Sequence, residues 1–548
     1  MHKNIFTRIN TWPKKVSFIL AGGLVVAGSS GGLAVMNSAH AASNTGQASL
    51  QQAIDAVLAD ARLNGAQVGV LVRSASDGST LYSHNPTSLL VPASNDKLYT
   101  STAAEKVLGT DYRFTTTVAA SGQQAAGIVN GNLYLKGTGD PTMQADDYDT
   151  LAAAVAAKGV KLVTGQLVAD DSFFDHRQLG YNWGWDSNPF YYQPEISALT
   201  VAADAKFNIG ALTVETTPGA AVGQPAQIKT LPATSYVTID NQTTTGAAGT
   251  ANTISVERKL GVNTIVVTGS IPLQGSTEDD ISTVTDPTGY AASLFRDALA
   301  RHGVTVLGQT SRSTTPANAT TITTRQSMPL SQLFTPFLKL SNNGIADTLL
   351  KTMGAKANGQ GTFDNGVATE LPVLGSEMGV DTSRTELVDG SGLSNVNLTT
   401  PEQTTNLLLA ARSKPWFQNW YNALPIAGQS DPLVGGTLRS RMVGTAAAGN
   451  VHAKTGSLDN VSALSGYVTD ADGQPLVFSI METDYIENFS PKPLEDKIAV
   501  ALANFSQNGG VKQAGLNFHP NASAAPVTQA KGKAAPHNIE CSWTKQGC

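Results

Sequence analysis

The chain has 548 residues, only 14% of them charged, with 36 basic against 42 acidic side chains and a formal net charge of −6. That length predicts more than one compact unit with ample core, and so low a charge content suits an exported protein. The absence of basic clusters argues against nucleic-acid binding. The only two cysteines, Cys541 and Cys548, leave the body without a cysteine nucleophile or thiolate metal site.

In chain order, Lys3, Arg8, Lys14 and Lys15 lead into the apolar run "VSFILAGGLVVAGSSGGLAVM" and then Ala39-His40-Ala41. This is the pattern of an export signal over residues 1–41, with cleavage expected after Ala41 and no later membrane span. Leu50, Ile54, Val57, Leu58 and Ala61 then form the stripe of an amphipathic helix. Val68, Val70 and Val72 alternate before an Asp-Gly turn, predicting a hairpin.

From about residue 115 to 325, short Val- and Thr-rich runs such as "GNLYLKG" and "NTIVVTG" predict β-rich accessory structure, with a nested smaller domain expected at about 140–208. "SRSTTPANATTITTRQS" reads as the return linker. The last third repeats the opening grammar: "ALSGYV", a turn at Asp472-Gly473, "PLVFSIM", and a helix carrying Ile498, Leu502 and Phe505. A helix and a hairpin at each end predict an α+β fold in which 42–114 and 326–520 form one discontinuous domain, an antiparallel sheet with helices packed on it. Residues 521–548, Pro- and Ala-rich without periodicity, are expected to be a flexible tail, in which the two cysteines of an exported chain are placed to close a small disulfide loop.

Three short motifs carry the chemistry. Ser94-Asn95-Asp96-Lys97 sets a hydroxyl at a helix start and an amine three residues on, hence on the same face. A neutral amine there is a base for an otherwise weak serine nucleophile, and the helix start favours developing negative charge. Spacing alone is weak evidence, since Ser542-Trp543-Thr544-Lys545 in the tail repeats it by chance. The first copy is strengthened by Ser341-Asn342-Asn343 and by Lys454-Thr455-Gly456 on a predicted strand, where glycine lets a substrate backbone approach the sheet edge.

Together these motifs resemble the penicillin-recognising serine enzymes. The flanks "LYLKGTGDPT", "DGSGLS" and "GGTLRSRMVGTAAAGNVHAKTGSL", with the long insertion between the first two motifs, resemble the D-alanyl-D-alanine carboxypeptidase/endopeptidase group called peptidase family S13. The resemblance implies a β-lactamase/DD-peptidase-like domain acting on peptidoglycan stem peptides and acylated by β-lactams. It implies Ser94 as nucleophile, Lys97 as base, Ser341 as proton relay, Asn343 as holder of the acyl-side amide and Lys454 as the charge keeping the site positive. Thr455, Gly456 and Ser457 would bind the substrate, its carboxylate on the two hydroxyls, with the N–H groups of Ser94 and Ser457 as oxyanion hole.

Where the family often has a basic residue after "DGSGLS", this chain has Asn395, which affects how a stem-peptide side chain is read. By the same resemblance, "GWDSNPFYYQ" reaches over the site, with Asp186 and Tyr191 toward an ammonium-bearing side chain. Asp170, Asp171, Asp175 and His176 lack a companion cluster with ligand spacing, so neither a metal nor any other cofactor is expected. His452 is assigned to packing, and Arg439 and Arg441 to local ion pairs. The rival readings are a β-lactamase, for which no Glu-x-x-Leu-Asn-like loop is found, and a wall-binding or antibiotic-sensing protein that acylates once without turnover.

Overall fold

The computed structural model describes residues 33–486 and 489–512. The apolar run up to residue 32, the 521–548 tail, both cysteines and the second Ser-x-x-Lys lie outside the described residues. The first helix, α1 (Leu33–Leu58), starts earlier than its apolar stripe predicts, and the bond after Ala41 lies within it. The segment "SAHAAS" contains no helix breaker, so the helix extends backwards from the stripe.

The two ends of the chain build one five-stranded antiparallel sheet in the order His452–Leu458, Val461–Thr469, Pro475–Thr483, β1 (Gln67–Ser74) and β2 (Thr80–His84). Successive side chains of a strand point to opposite faces. Leu476, Phe478 and Ile480 accordingly pack with Val70, Val72, Leu464 and the inner faces of α1 and the last helix, Lys492–Ala503. Val477 faces the other way, onto Leu407 and Leu408 of helix Pro401–Ala411. Both faces are therefore covered, and each such side chain contributes about 1.5–3 kcal/mol by leaving water. This is why Val461–Thr469 is buried at every position but its last instead of alternating.

On that second face lies a helical layer made of α2 (Asp96–Val107), Leu330–Lys339, Asn343–Asn358, Phe363–Met378 and Pro401–Ala411. Helix α2 is buried from Asp96 through Glu105, so it runs through the core with no solvated face. The α+β class expected from the sequence is the class observed.

Between Thr115 and Gln326 the chain forms a mixed five-stranded sheet in the order Thr310–Arg312, Leu167–Asp170, Leu133–Gly137, Thr115–Ala120 and Thr320–Gln326. Leu133–Gly137 and Leu167–Asp170 are parallel and joined through helix Ala145–Ala157, which packs on helix Pro287–Arg301. Residues 211–283 add two three-stranded sheets. The segment 140–208 thus supplies a helix and a strand to the larger sheet. "SRSTTPANATTITTRQS" is more than a linker, since Thr320–Gln326 pairs along the whole of Thr115–Ala120. Its alternating Thr-rich run has the β-propensity that its Pro and Asn masked. Among the described residues no helix is long and apolar enough to cross a membrane.

Candidate active site

The turn that carries Ser94 is built by close backbone contacts. Ala93 sits at φ 47°, in the left-handed region that L-residues occupy only when the surroundings hold them there. Residues Ala93–Asn95 make one 3-10 turn that runs straight into α2. Two glycines make room for it. A Cβ on Gly456 would lie 2.6 Å from the Pro92 carbonyl oxygen, and one on Gly392 would lie 1.9 Å from that of Ala93. The motif strand and the "DGSGLS" loop therefore clamp the turn from two sides. Asn95 ties it to the sheet, donating from Nδ2 to Ser465 Oγ at 2.8 Å, which in turn donates to Ser479 Oγ at 2.9 Å.

Lys97 is fully buried. Its Nζ donates to Ser94 Oγ at 2.8 Å, to Asn343 Oδ1 at 2.5 Å and to the Ser391 carbonyl at 2.6 Å. One amine thus joins the first motif, the second motif and the "DGSGLS" loop. Asn343 also donates from Nδ2 to the Tyr192 carbonyl at 2.8 Å, which fixes the orientation of its amide. Asn342 caps helix Asn343–Asn358, accepting from the Ile345 N–H, and its Nδ2 donates to the carbonyls of Phe207 and Lys206. Ser341, at φ 55°, is held between that helix and the preceding one.

On the opposite wall, fully buried Lys454 donates to Ser341 Oγ at 2.7 Å and to the Thr455 carbonyl at 2.9 Å. Thr455 donates its hydroxyl to Thr437 Oγ1 at 2.7 Å. His452–Leu458 is the edge of the sheet, and only its first residues are covered, by the Ile426 bridge to His452 and the Ala453 N–H to Pro425 carbonyl bond. From Lys454 onward no further strand lies beside it among the described residues, the arrangement into which an extended peptide can pair.

Behind Lys97 is an unusual set of carboxyls: Asp96, Asp347, Glu370 and Asp389, all buried. Neither oxygen of Asp96 or of Glu370 has a hydrogen-bond partner, nor does Asp347 Oδ2. Burial, reinforced by mutual repulsion, pushes Asp347 and Glu370 up to about 8 and Asp96 well above the ordinary carboxylate range. Both causes favour the neutral, protonated form of these carboxyls. Asp389 is different, accepting four donors: the Gly392 N–H and Asn397 Nδ2 at Oδ1, the Ser394 N–H and Trp183 Nε1 at Oδ2.

Of the remaining expected residues, Asp186 and Asn395 are exposed and Tyr191 is half-buried against Tyr192. Tyr191 and Asp186 belong to the segment that Tyr192 joins to Asn343. Ser457 is buried on the edge strand. Asp170 accepts from Ser172 and Thr315, Asp171 from Thr288, and Asp175 pairs with Lys351 at 2.6 Å, so these carboxylates pin segments together. His452 stacks on Tyr421 at 4.2 Å, and burial lowers it to about 4. Arg441 bonds Glu495 and Asp496. Sequence reasoning missed Thr437, Ser391, Asp389 and Trp183. The first three lie in "GGTLRSR" and "DGSGLS", segments whose resemblance was visible while their contacts were not.

A serine and a lysine at the head of a buried helix, facing the edge of an antiparallel sheet, place the molecule among the DD-peptidase-like serine enzymes. The model of the D-Ala-D-Ala carboxypeptidase 3 (S13) family matches residues 50–505, and the chain belongs to that family, serine-type D-Ala-D-Ala carboxypeptidases. It is 43% identical over 502 residues to a D-alanyl-D-alanine carboxypeptidase of Actinomadura sp. (strain R39), covering 91% of this chain and 90% of that one. The crystal structure of penicillin binding protein 4 from Haemophilus influenzae shares the fold, with TM-score 0.71 and 24% identity over 82% of this chain and 98% of that one. A second structure of that protein, complexed with a novel β-lactam, matches with TM-score 0.66 and 23% identity over the same shares.

Proposed function

We propose that Ser94 is acylated by the carbonyl of the penultimate D-alanine of peptidoglycan stem peptides, and that Lys97 is its base. The observation that carries this is the surrounding of the Lys97 amine. As an ammonium it donates to all three neighbouring oxygens. As a neutral amine it keeps two N–H bonds, to Asn343 Oδ1 and the Ser391 carbonyl, the two shortest contacts, and turns its lone pair to the Ser94 hydroxyl. On this reading the Ser94 contact is the proton-transfer path.

In the first step Ser94 Oγ bonds to the carbonyl carbon and its proton passes to Lys97. The N–H groups of Ser94 and Ser457 stabilise the oxyanion, and Asn343 holds the acyl-side amide. The C–N bond then breaks and D-alanine leaves, protonated through Ser341, whose hydroxyl accepts from Lys454. Thr455 and Ser457 bind the terminal carboxylate beside Lys454, with Gly456 giving the backbone access. Water hydrolyses the acyl-enzyme. A β-lactam follows the same first step and stalls at the second.

Cross-link cleavage uses the same bond type and the same groups, so DD-endopeptidase activity belongs to this reading. Asp186 and Tyr191 would meet an ammonium-bearing side chain, with Asn395 at the same rim. The work takes place outside the cytoplasm, after export and cleavage behind Ala41. The catalytic unit is 42–114 with 326–520, and 115–325 is an insertion. Incubation with monomeric and cross-linked muropeptides should release D-alanine from wild type and none from Ser94→Ala. Mass spectrometry should find one penicillin on Ser94, and an unmodified Ser94 in folded protein defeats the assignment.

A further inference from the structure

The segment from Trp183 to Tyr192 touches the surroundings of Lys97 at both of its ends. At one end the Trp183 indole, edge-on to Phe363, donates to Asp389 Oδ2 at 2.7 Å. Asp389 in turn holds the Gly392 N–H, which belongs to the same peptide group as the Ser391 carbonyl that accepts from Lys97, and the Ser394 N–H two residues on. At the other end the Tyr192 carbonyl holds the amide of Asn343, whose Oδ1 also accepts from Lys97. Between these anchors the chain turns outward, and Trp185 is 75% exposed with Asp186 beside it. The exposed tip is thus strung between the two oxygens that hold the N–H bonds of Lys97.

We infer that this segment is a positioning device for the base: Trp183 acting through Asp389, and Tyr192 acting through Asn343, set the two acceptors that aim the Lys97 amine at Ser94. The inference rests on the reading of Lys97 as base. It makes the accessory segment part of the catalytic geometry, so that whatever seats on its exposed tip is felt at the amine.

Trp183→Phe keeps the ring against Phe363 and deletes only the N–H. Its rate constant for penicillin acylation of Ser94 should fall about tenfold, with the kcat for D-alanine release falling in step and KM nearly constant. Asp389→Asn, which turns an amide toward four donors, should slow acylation to a similar degree. Both are read as rate constants of adduct formation by mass spectrometry, so poor folding reduces amplitude and leaves the rate interpretable. Wild-type rate constants in Trp183→Phe or in Asp389→Asn overturn the inference. No adduct on Ser94 in wild type overturns the reading of the site instead.

Discussion

Two buried lysines face each other across the cleft, and their surroundings differ in kind. Lys97 is enclosed by carbonyl oxygens and backed by four carboxyls, three of them without a partner for at least one oxygen. Lys454 meets the Ser341 hydroxyl and the Thr455 carbonyl at its amine, with the hydroxyls of Thr455 and Thr437 next along the wall. The same side chain is suited to two tasks by what lies around it. Fixed carbonyls choose which N–H bonds survive deprotonation and so suit a base, whereas rotatable hydroxyls can accept and donate in succession and so suit a relay.

Methionine at each lysine breaks this comparison most severely. If Lys97 is the base as proposed, Lys97→Met removes the acceptor of the Ser94 proton and should slow penicillin acylation by about 10³-fold or more, across the whole pH range. Lys454→Met leaves the proton acceptor of Ser94 in place and should slow acylation by only about 10²-fold, with KM for D-alanyl-D-alanine peptides rising because, on the proposed reading, the carboxylate loses its neighbouring charge. Acylation rate constants over pH separate the two. Equal losses with identical profiles would mean that the lysines are not divided into base and relay.

The carboxyl compartment can be tested through stability. Glu370 is held protonated in the folded protein up to about pH 8, while in the unfolded chain it ionises near pH 4.5. The folded state therefore binds the extra proton, and its stability falls as pH rises between those values. Glu370→Gln removes that dependence. The variant should match wild type at pH 4 and gain with rising pH, by about 2 kcal/mol at pH 8 after allowance for coupling to Asp96, Asp347 and Asp389. Thermal unfolding at several pH values measures it, and a gain that is the same at every pH assigns the effect to packing.

Much of this was legible in the sequence, and the part that was not has a physical reason. The alternation Val68, Val70, Val72 and the Asp-Gly turns specify strands and hairpins locally, and the two ends of the chain announce the sheet by sharing that pattern. Ser94 and Lys97 are one turn apart, so spacing alone juxtaposes them. Asp389 is different, because its four donors come from Trp183 and from a loop whose path depends on Gly392 packing against Ala93. No period or spacing encodes such a contact. The acids near Lys97 were equally hidden, since Asp347 and Glu370 sit on helices where a carboxyl ordinarily marks the solvated face, and only tertiary packing turns them inward.

The mildest test concerns the hydroxyl wall. Thr455 donates its proton to Thr437 in the free protein, so a substrate carboxylate that binds at Thr455 as proposed must take that proton over. Thr437 can then rotate and donate back to the Thr455 oxygen, which keeps both hydroxyls satisfied. Valine has nearly the same shape and cannot donate. Thr437→Val removes one hydrogen bond of Thr455 from the free protein and one from the complex, so the losses largely offset and KM should change by no more than about twofold. Because the missing bond is common to bound substrate and transition state, kcat should be unchanged. A fall in kcat at constant KM would move Thr437 from binding the carboxylate to the relay that Ser341 and Lys454 form, and would blur the division between the two walls.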